Sequence, residues 1–122
     1  IMPVYGSEPK GADDAYRGFT SGVRVSEQTP DTVADGLRTC VGVRNFEIIR
    51  EKVAGIGLAD DDEILRATSL VHMRMKQLIE PSCAVPLACL LMVCIASSAF
   101  EKLLQHLESI EPNIFYIYCR NY

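Results

Sequence analysis

The chain has no apolar run long enough to cross a bilayer, no Cys-x-x-Cys pair and no stripe of basic residues. Each absence removes a class of function. The longest apolar stretch, CAVPLACLLMVCIA from Cys83 to Ala96, contains Pro86 and falls short of the ~20 residues that a spanning helix needs. It is expected as a buried helix, with no membrane partner. Twelve Lys and Arg lie scattered along a chain of net charge −4, whereas a phosphate backbone requires a clustered basic face. Nucleic acid is therefore not an expected partner. Five cysteines, Cys40, Cys83, Cys89, Cys94 and Cys119, form an odd set with three members inside the apolar run. Zinc and a disulfide framework are disfavoured, and core-packing thiols in a reducing, cytoplasmic compartment are expected. A phosphate-cradling glycine loop and a nucleophile elbow are also missing. No signal-peptide pattern is visible, but the chain opens IMPVYG, without an initiator methionine and inside an expected strand, so this absence means less than usual.

What is present suits one domain with its own core: 122 residues, 48% apolar and 23% charged. Ile1 to Ser7, rich in β-formers and closed by Pro9, reads as a buried strand of a parallel sheet. GADDAYRGFTSG follows as a short helix with acids in its first turn and Gly18 and Gly22 available to end it. Val23 to Asp35 reads as a loop or brief edge strand. Phe46, Ile49 and Val53 mark a helix over Asn45 to Val53, and a strand is expected at Gly55 to Ala59. Ile64, Thr68, Val71, Met75 and Leu78 form one apolar stripe along a helix from Asp61 to Ile79, with Asp60 and Glu63 as its capping box. EPSCAVPLACLL opens a further helix in which Pro81 suits the first turn, while Pro86 demands a bend or a later start. Near the end, a helix is expected around Phe100 to Leu107 and a strand from Ile114 to Cys119. Alternating strands and helices imply an α/β layered fold.

Several residues are candidates for chemistry. Glu8 stands at the carboxyl end of the first strand, the edge where α/β sheets place ligands, and Asp13 and Asp14 follow after one turn. A Glu, a backbone carbonyl of the intervening loop and an Asp can surround a hard cation such as magnesium or calcium. An acidic helix start explains the same residues without an ion. Asp35 and Gly36 fall in a tight turn. Glu80, before Pro81, has an ordinary capping explanation, and His72 and His106 lack an acid or thiol partner at catalytic spacing.

Four stretches, VYGSEPKGADDA, TPDTVADGLRT, DDEILRATSLVHMRMK and IEPSCAVPLACLL, together resemble, in order and spacing, the second half of the serine racemase and serine/threonine dehydratase family of pyridoxal-phosphate enzymes. The resemblance spans Val4 to Leu91. It implies a mostly parallel sheet flanked by helices, part of the large domain of a fold-type II pyridoxal-phosphate enzyme over residues 1–91, with a divergent tail over 92–122. It also implies a magnesium or calcium ion held by Glu8, the backbone carbonyl of Ala12, and Asp14. Asp35 and Gly36 match the loop that passes the cofactor, Glu80 matches a glutamate on the pyridine-ring side, and Lys76 falls where a lysine meets an ATP effector at a dimer interface.

The departures from the family pattern shape the functional expectation. The family's Schiff-base lysine, substrate-binding asparagine loop and tetraglycine phosphate loop precede the stretch that these residues resemble, and none is in this chain. Cys83 replaces a glycine, Arg44 replaces a small or acidic residue, and the S-G-G-N strand that binds the pyridine nitrogen is not found. The resemblance thus implies part of a homodimeric racemase or ammonia-lyase of serine and threonine, inactive as an isolated chain. The alternative expectation is a non-catalytic truncated paralogue that binds or modulates a full-length subunit.

Overall fold

A computed structural model describes residues 3–96. The chain divides into two compact units, Ile1–Leu90 and Leu91–Tyr122, and everything that positions the candidate site belongs to the first. The helix expected at Phe100 to Leu107 and the strand at Ile114 to Cys119 lie outside the described residues.

Two strands, β1 (Val4–Pro9) and β2 (Val53–Ala59), pair in parallel. The register aligns Glu8 with Leu58 and Pro9 with Ala59, with one irregularity between Val4 and Tyr5. Parallel strands cannot be joined by a tight turn, so the chain between them must cross over the sheet. Here the crossover contains α1 (Asp14–Ser21), a long irregular loop with one 3-10 turn (Asp35–Leu37), and α2 (Val43–Lys52). Where α1 meets α2, the buried Phe46 ring lies so close to Gly18 that an added Cβ would stand 2.8 Å from its Cε2. After β2 come α3 (Asp61–Leu70) and α4 (Pro81–Ala96). Ala59, Ile64, Ala67, Ala84, Val85 and Ala88 are buried, and Cys89 on α4 packs at Gly57 of β2, its Cβ 3.4 Å from where a side chain at that glycine would begin.

The layered α/β reading holds, and its boundaries shift for physical reasons. α2 begins two residues earlier than expected, at Val43, and β2 starts directly at Val53, so no linker separates them. Val23 to Ala34 forms no strand.

The largest departure concerns the helix expected to Ile79. α3 stops at Leu70, and Val71–Met75 forms a wide π turn that moves the apolar stripe out of phase. Lys76 then adopts the left-handed conformation, φ 56°, and ends the helix. Leu78, counted in the stripe, is 92% exposed. His72, which lacked a visible partner in the sequence, holds the return: its Nε2 lies 3.0 Å from the Ile79 carbonyl oxygen and 3.1 Å from the Ile79 nitrogen. Since one ring nitrogen either donates or accepts, each tautomer makes one of these bonds.

α4 accommodates Pro86 in its interior. It neither starts later nor stops there, although Pro86 has no N–H to offer the Ser82 carbonyl one turn back. The expectation of core thiols also needs correction: Cys83 is exposed, while Cys40 and Cys89 are half-buried.

Two local features are decisive for stability. The capping box of α3 is present as expected: Glu63 N donates to Asp60 Oδ1 at 3.0 Å, and Asp60 N donates to Glu63 Oε2 at 2.7 Å. The Glu63 amide, then Lys10, hold the Asp60 carboxyl below its ordinary value. Gly11 allows a backbone contact, because Asp31 N donates to its carbonyl at 2.9 Å and an added Cβ would stand 1.7 Å from the Asp31 oxygen.

Gly11→Ala should therefore cost about 3 kcal/mol, the upper end of overpacking effects, in urea unfolding. Gly42→Ala, which meets nothing within 4 Å, serves as the control and should change little. Asp60→Ala should cost about 1 kcal/mol at neutral pH. A lowered folded-state pKa contributes stability above the unfolded value and loses it on acidification, so the gap between variant and wild type should close as pH falls below about 4.

Candidate functional site at the carboxyl end of the first strand

The turn after β1 gathers the acids, and each carboxylate has a distinct task. Asp13 occupies the N-cap of α1, yet its side chain makes no cap hydrogen bond. It pairs instead with Arg17, Oδ1 accepting from Nε at 2.7 Å. Glu8 caps the helix from the neighbouring strand: Oε1 accepts from Ala15 N at 3.3 Å and Oε2 from Tyr16 N at 2.8 Å. These are amides of the first turn, which have no partner inside the helix. Burial pushes the Glu8 carboxyl up, the Tyr16 amide opposes this, and the nearby Asp14 charge reinforces it.

Asp14, only 3% exposed, turns away from its own helix. Its Oδ1 accepts from Gln28 Nε2 at 2.8 Å and its Oδ2 from Val41 N at 2.7 Å, so both ends of the irregular loop are tied to one buried carboxylate. Ala12 is buried beside it, with its N–H donated to the Pro9 carbonyl at 3.0 Å. The structure thus brings Glu8, Ala12 and Asp14 into one turn. Among the described residues no group of three His, Cys, Asp or Glu side chains is placed to hold a metal ion.

A second junction forms where the 3-10 turn meets the start of α4. Gly36 N donates to Ser82 Oγ at 3.0 Å. A Cβ on Gly36 would lie 3.0 Å from that oxygen and 3.5 Å from Glu80 Oε1, so a side chain here would press on Ser82. Gly36 and Glu80, far apart in sequence, meet here; Asp35 is exposed on the same turn. Glu80 does not cap α4 with its side chain: its backbone carbonyl accepts from Cys83 N at 3.0 Å, and its Oε1 lies 4.0 Å from Cys83 Sγ. Lys76 stands exposed at the end of the π turn.

Sequence reasoning passed over Ser82, although a hydroxyl in the first turn of a helix, next to a glutamate and a proline, was a readable signal for a side chain free to receive an outside amide. It also passed over Asp61 and Thr32. Asp61 Oδ1 accepts from Thr32 Oγ1 at 2.6 Å and its Oδ2 from Val33 N at 3.0 Å.

Residues 2–101 match the family described as "Pyridoxal-phosphate dependent enzyme". The chain belongs to this family. It is 48% identical over 93 residues to a serine racemase of Dictyostelium discoideum, an alignment covering 74% of this chain and 28% of that protein. Among solved structures, a threonine deaminase from T.th. matches with a TM-score of 0.71 and 43% identity over 74% of this chain and 34% of that one. Maize serine racemase matches with a TM-score of 0.74 and 32% identity over 82% of this chain and 32% of that one. The pyridoxal-phosphate family member described here thus spans about a third or less of the length of these relatives, and shares with them an α/β fold with a parallel sheet.

The loop's dependence on Asp14 gives a direct test. Asp14→Ala leaves the Val41 amide without its acceptor and the Gln28 amide with only the Thr39 carbonyl, and should cost about 3 kcal/mol in urea unfolding, as expected for losing buried bonds to a charged group. Arg17→Ala, which removes an exposed i,i+4 pair with Asp13 and an exposed bond to Gln28 Oε1, should cost no more than about 1 kcal/mol.

Proposed function

We propose that this chain supplies one wall of the cofactor pocket and the cation site of a pyridoxal-phosphate-dependent racemase or ammonia-lyase acting on serine, threonine or a similar small hydroxy amino acid. The observation that carries this reading is the meeting of Gly36, Glu80 and Ser82. It joins two motif stretches on a fold shared with a threonine deaminase and with serine racemases.

Pyridoxal phosphate supplies an electron sink beside the amino acid's α-carbon. In this reading the chain's own residues bind and orient. Gly36 presents backbone without a side chain, which lets a flat ring approach. Glu80 would place a carboxylate on the pyridine-ring side of the pocket, and Ser82 fixes the height of the turn through the Gly36 amide. A lysine able to bond the cofactor belongs to sequence outside the matched third. Two of the chain's lysines already pair with acids, Lys10 with Asp60 and Lys52 with Glu51.

Glu8, the Ala12 carbonyl and Asp14 would hold magnesium or calcium. Their fit rests on three points: the donors are all hard oxygens, each carboxylate oxygen accepts one hydrogen bond and so keeps a second lone pair, and the Asp14 and Asp13 charges disfavour an ionised Glu8, which a cation would relieve. Such an ion would act on shape, fixing the turn after β1, with no part in bond making. Lys76, exposed at the end of the π turn, is the residue proposed to meet a nucleotide effector in a homodimer, and a cytoplasmic setting fits the free thiols of Cys40, Cys83 and Cys89. Residues 92–122 are proposed to be a divergent tail.

A second reading is favoured by the open sheet. Among the described residues the sheet has two parallel strands, with Val4 and Tyr5 exposed, and its edges are ones that further strands would complete, as suits a truncated paralogue that docks on a full-length subunit.

Two measurements test these readings. With pyridoxal phosphate and L-serine, the pure chain should yield neither D-serine nor pyruvate, and turnover of either kind would overturn the division of labour. Magnesium at a hundredfold excess over its half-saturating concentration should add about 2.7 kcal/mol to unfolding stability. Asp14→Ala should abolish that gain, and an unchanged response to the ion would remove the proposed cation site.

A further inference from the structure

Asp61 is the first residue of α3, where a carboxylate already suits the positive end of the helix dipole. Its side chain nevertheless serves the loop across from it. One oxygen accepts from Thr32 Oγ1 and the other from Val33 N. The Thr32 hydroxyl oxygen accepts in turn from Ala34 N at 3.2 Å, and the Thr32 carbonyl accepts both Nε and Nη2 of Arg38, the former at 2.9 Å. Thr32 is 2% exposed and Ala34 fully buried. Between these anchors the backbone closes tightly: Leu37 N donates to the Ala34 carbonyl at 3.0 Å and Arg38 N to the Asp35 carbonyl at 3.3 Å. Gly36, at the crest of this closed turn, is the residue that reaches Ser82.

We propose that Asp61 is a positioning residue, whose clamp on Thr32 and Val33 sets where the Asp35–Gly36 turn meets Glu80 and Ser82. A segment without helix or strand has few backbone bonds of its own, so its shape is decided by the side chains that receive its amides. Asp61 receives one such amide directly and a second through Thr32. The capping box of α3 is carried by Asp60 and Glu63, so Asp61 is not needed to cap its own helix. That this turn then presents itself to the cofactor rests on the function proposed above.

The chemistry of the clamp separates its variants. Asparagine at 61 can reproduce both contacts: its carbonyl accepts from Val33 N, while its amide donates to Thr32 Oγ1, which keeps a lone pair for Ala34 N. Alanine reproduces neither. Thr32→Val removes the hydroxyl and leaves α3 untouched.

The test is amide hydrogen exchange by NMR on the full 122-residue chain, comparing wild type, Asp61→Ala, Asp61→Asn and Thr32→Val. Exchange at Val33 and Gly36 should be roughly tenfold faster or more in Asp61→Ala, and at Ala34 and Gly36 in Thr32→Val. The Glu63 amide and the β1–β2 ladder should keep their protection in both, and Asp61→Asn should behave as wild type. Unchanged Gly36 exchange in Asp61→Ala and Thr32→Val, or an equal loss in Asp61→Asn, would overturn the proposal. Should Asp61→Ala fail to fold, Thr32→Val against Asp61→Asn decides the same question. A second readout uses pyridoxine 5′-phosphate, which lacks the reactive aldehyde. A Gly36 amide shift shared by wild type and Asp61→Asn but weakened roughly tenfold in Asp61→Ala supports the proposal, and an equal response in all three overturns it. A turn that loosens in Asp61→Ala while wild type ignores the compound overturns the cofactor assignment and leaves the positioning role standing.

Discussion

The crossover between the strands depends on one buried carboxylate. From Val23 to Ala34 the chain has no helix or strand, so its amides need acceptors from elsewhere if they leave water. Asp14 takes the Gln28 side-chain amide and the Val41 backbone amide, one from each side of the loop, and the Gly11 carbonyl takes the Asp31 amide between them. Asp61 then fixes the middle through Thr32 and Val33. The helices that bear these aspartates are packed and short, so the loop inherits their rigidity. A carboxylate is well suited to the task, because its two oxygens accept at once and its bonds are charge-assisted.

The same economy explains the acidic turn after β1. Glu8 caps α1 from a neighbouring strand, Asp13 binds Arg17, and Asp14 binds the loop. An acidic helix start is usually credited to the dipole alone. Here each acid has a specific partner, and burial, reinforced by the Asp14 and Asp13 charges, disfavours an ionised Glu8. Every carboxylate of this turn therefore has a protein partner of its own.

The sequence made some of this readable and hid the rest in predictable ways. Strands, the short helix after Pro9 and the Asp60–Glu63 capping box followed from local pattern, since each depends on neighbours within a turn or two. The end of α3 did not: the stripe continued on paper to Leu78, but a single π turn rotated it off the core, and nothing in the residue types of Val71–Met75 announces that geometry. Among site residues, Glu8 and Asp14 were singled out by their proximity in the chain, and Ala12 only by the family resemblance. Gly36 and Glu80 were singled out by motif, while their contact through Ser82 required the fold. Asp61 was hidden because an acid at a helix start already had a sufficient local explanation.

Pro86 has a further consequence for α4. A helix normally transmits displacement along its axis because every amide is tied to the turn before it. With no amide at position 86, the rung that would join this residue to Ser82 is missing, so the opening turn and the body of α4 are coupled by one bond fewer than in an unbroken helix. The body stays registered on β2 through Cys89 at Gly57, while the opening turn takes its bearing from Gly36. One helix thus reports to two masters, and a small shift of the loop turn can be absorbed at the proline without disturbing the sheet.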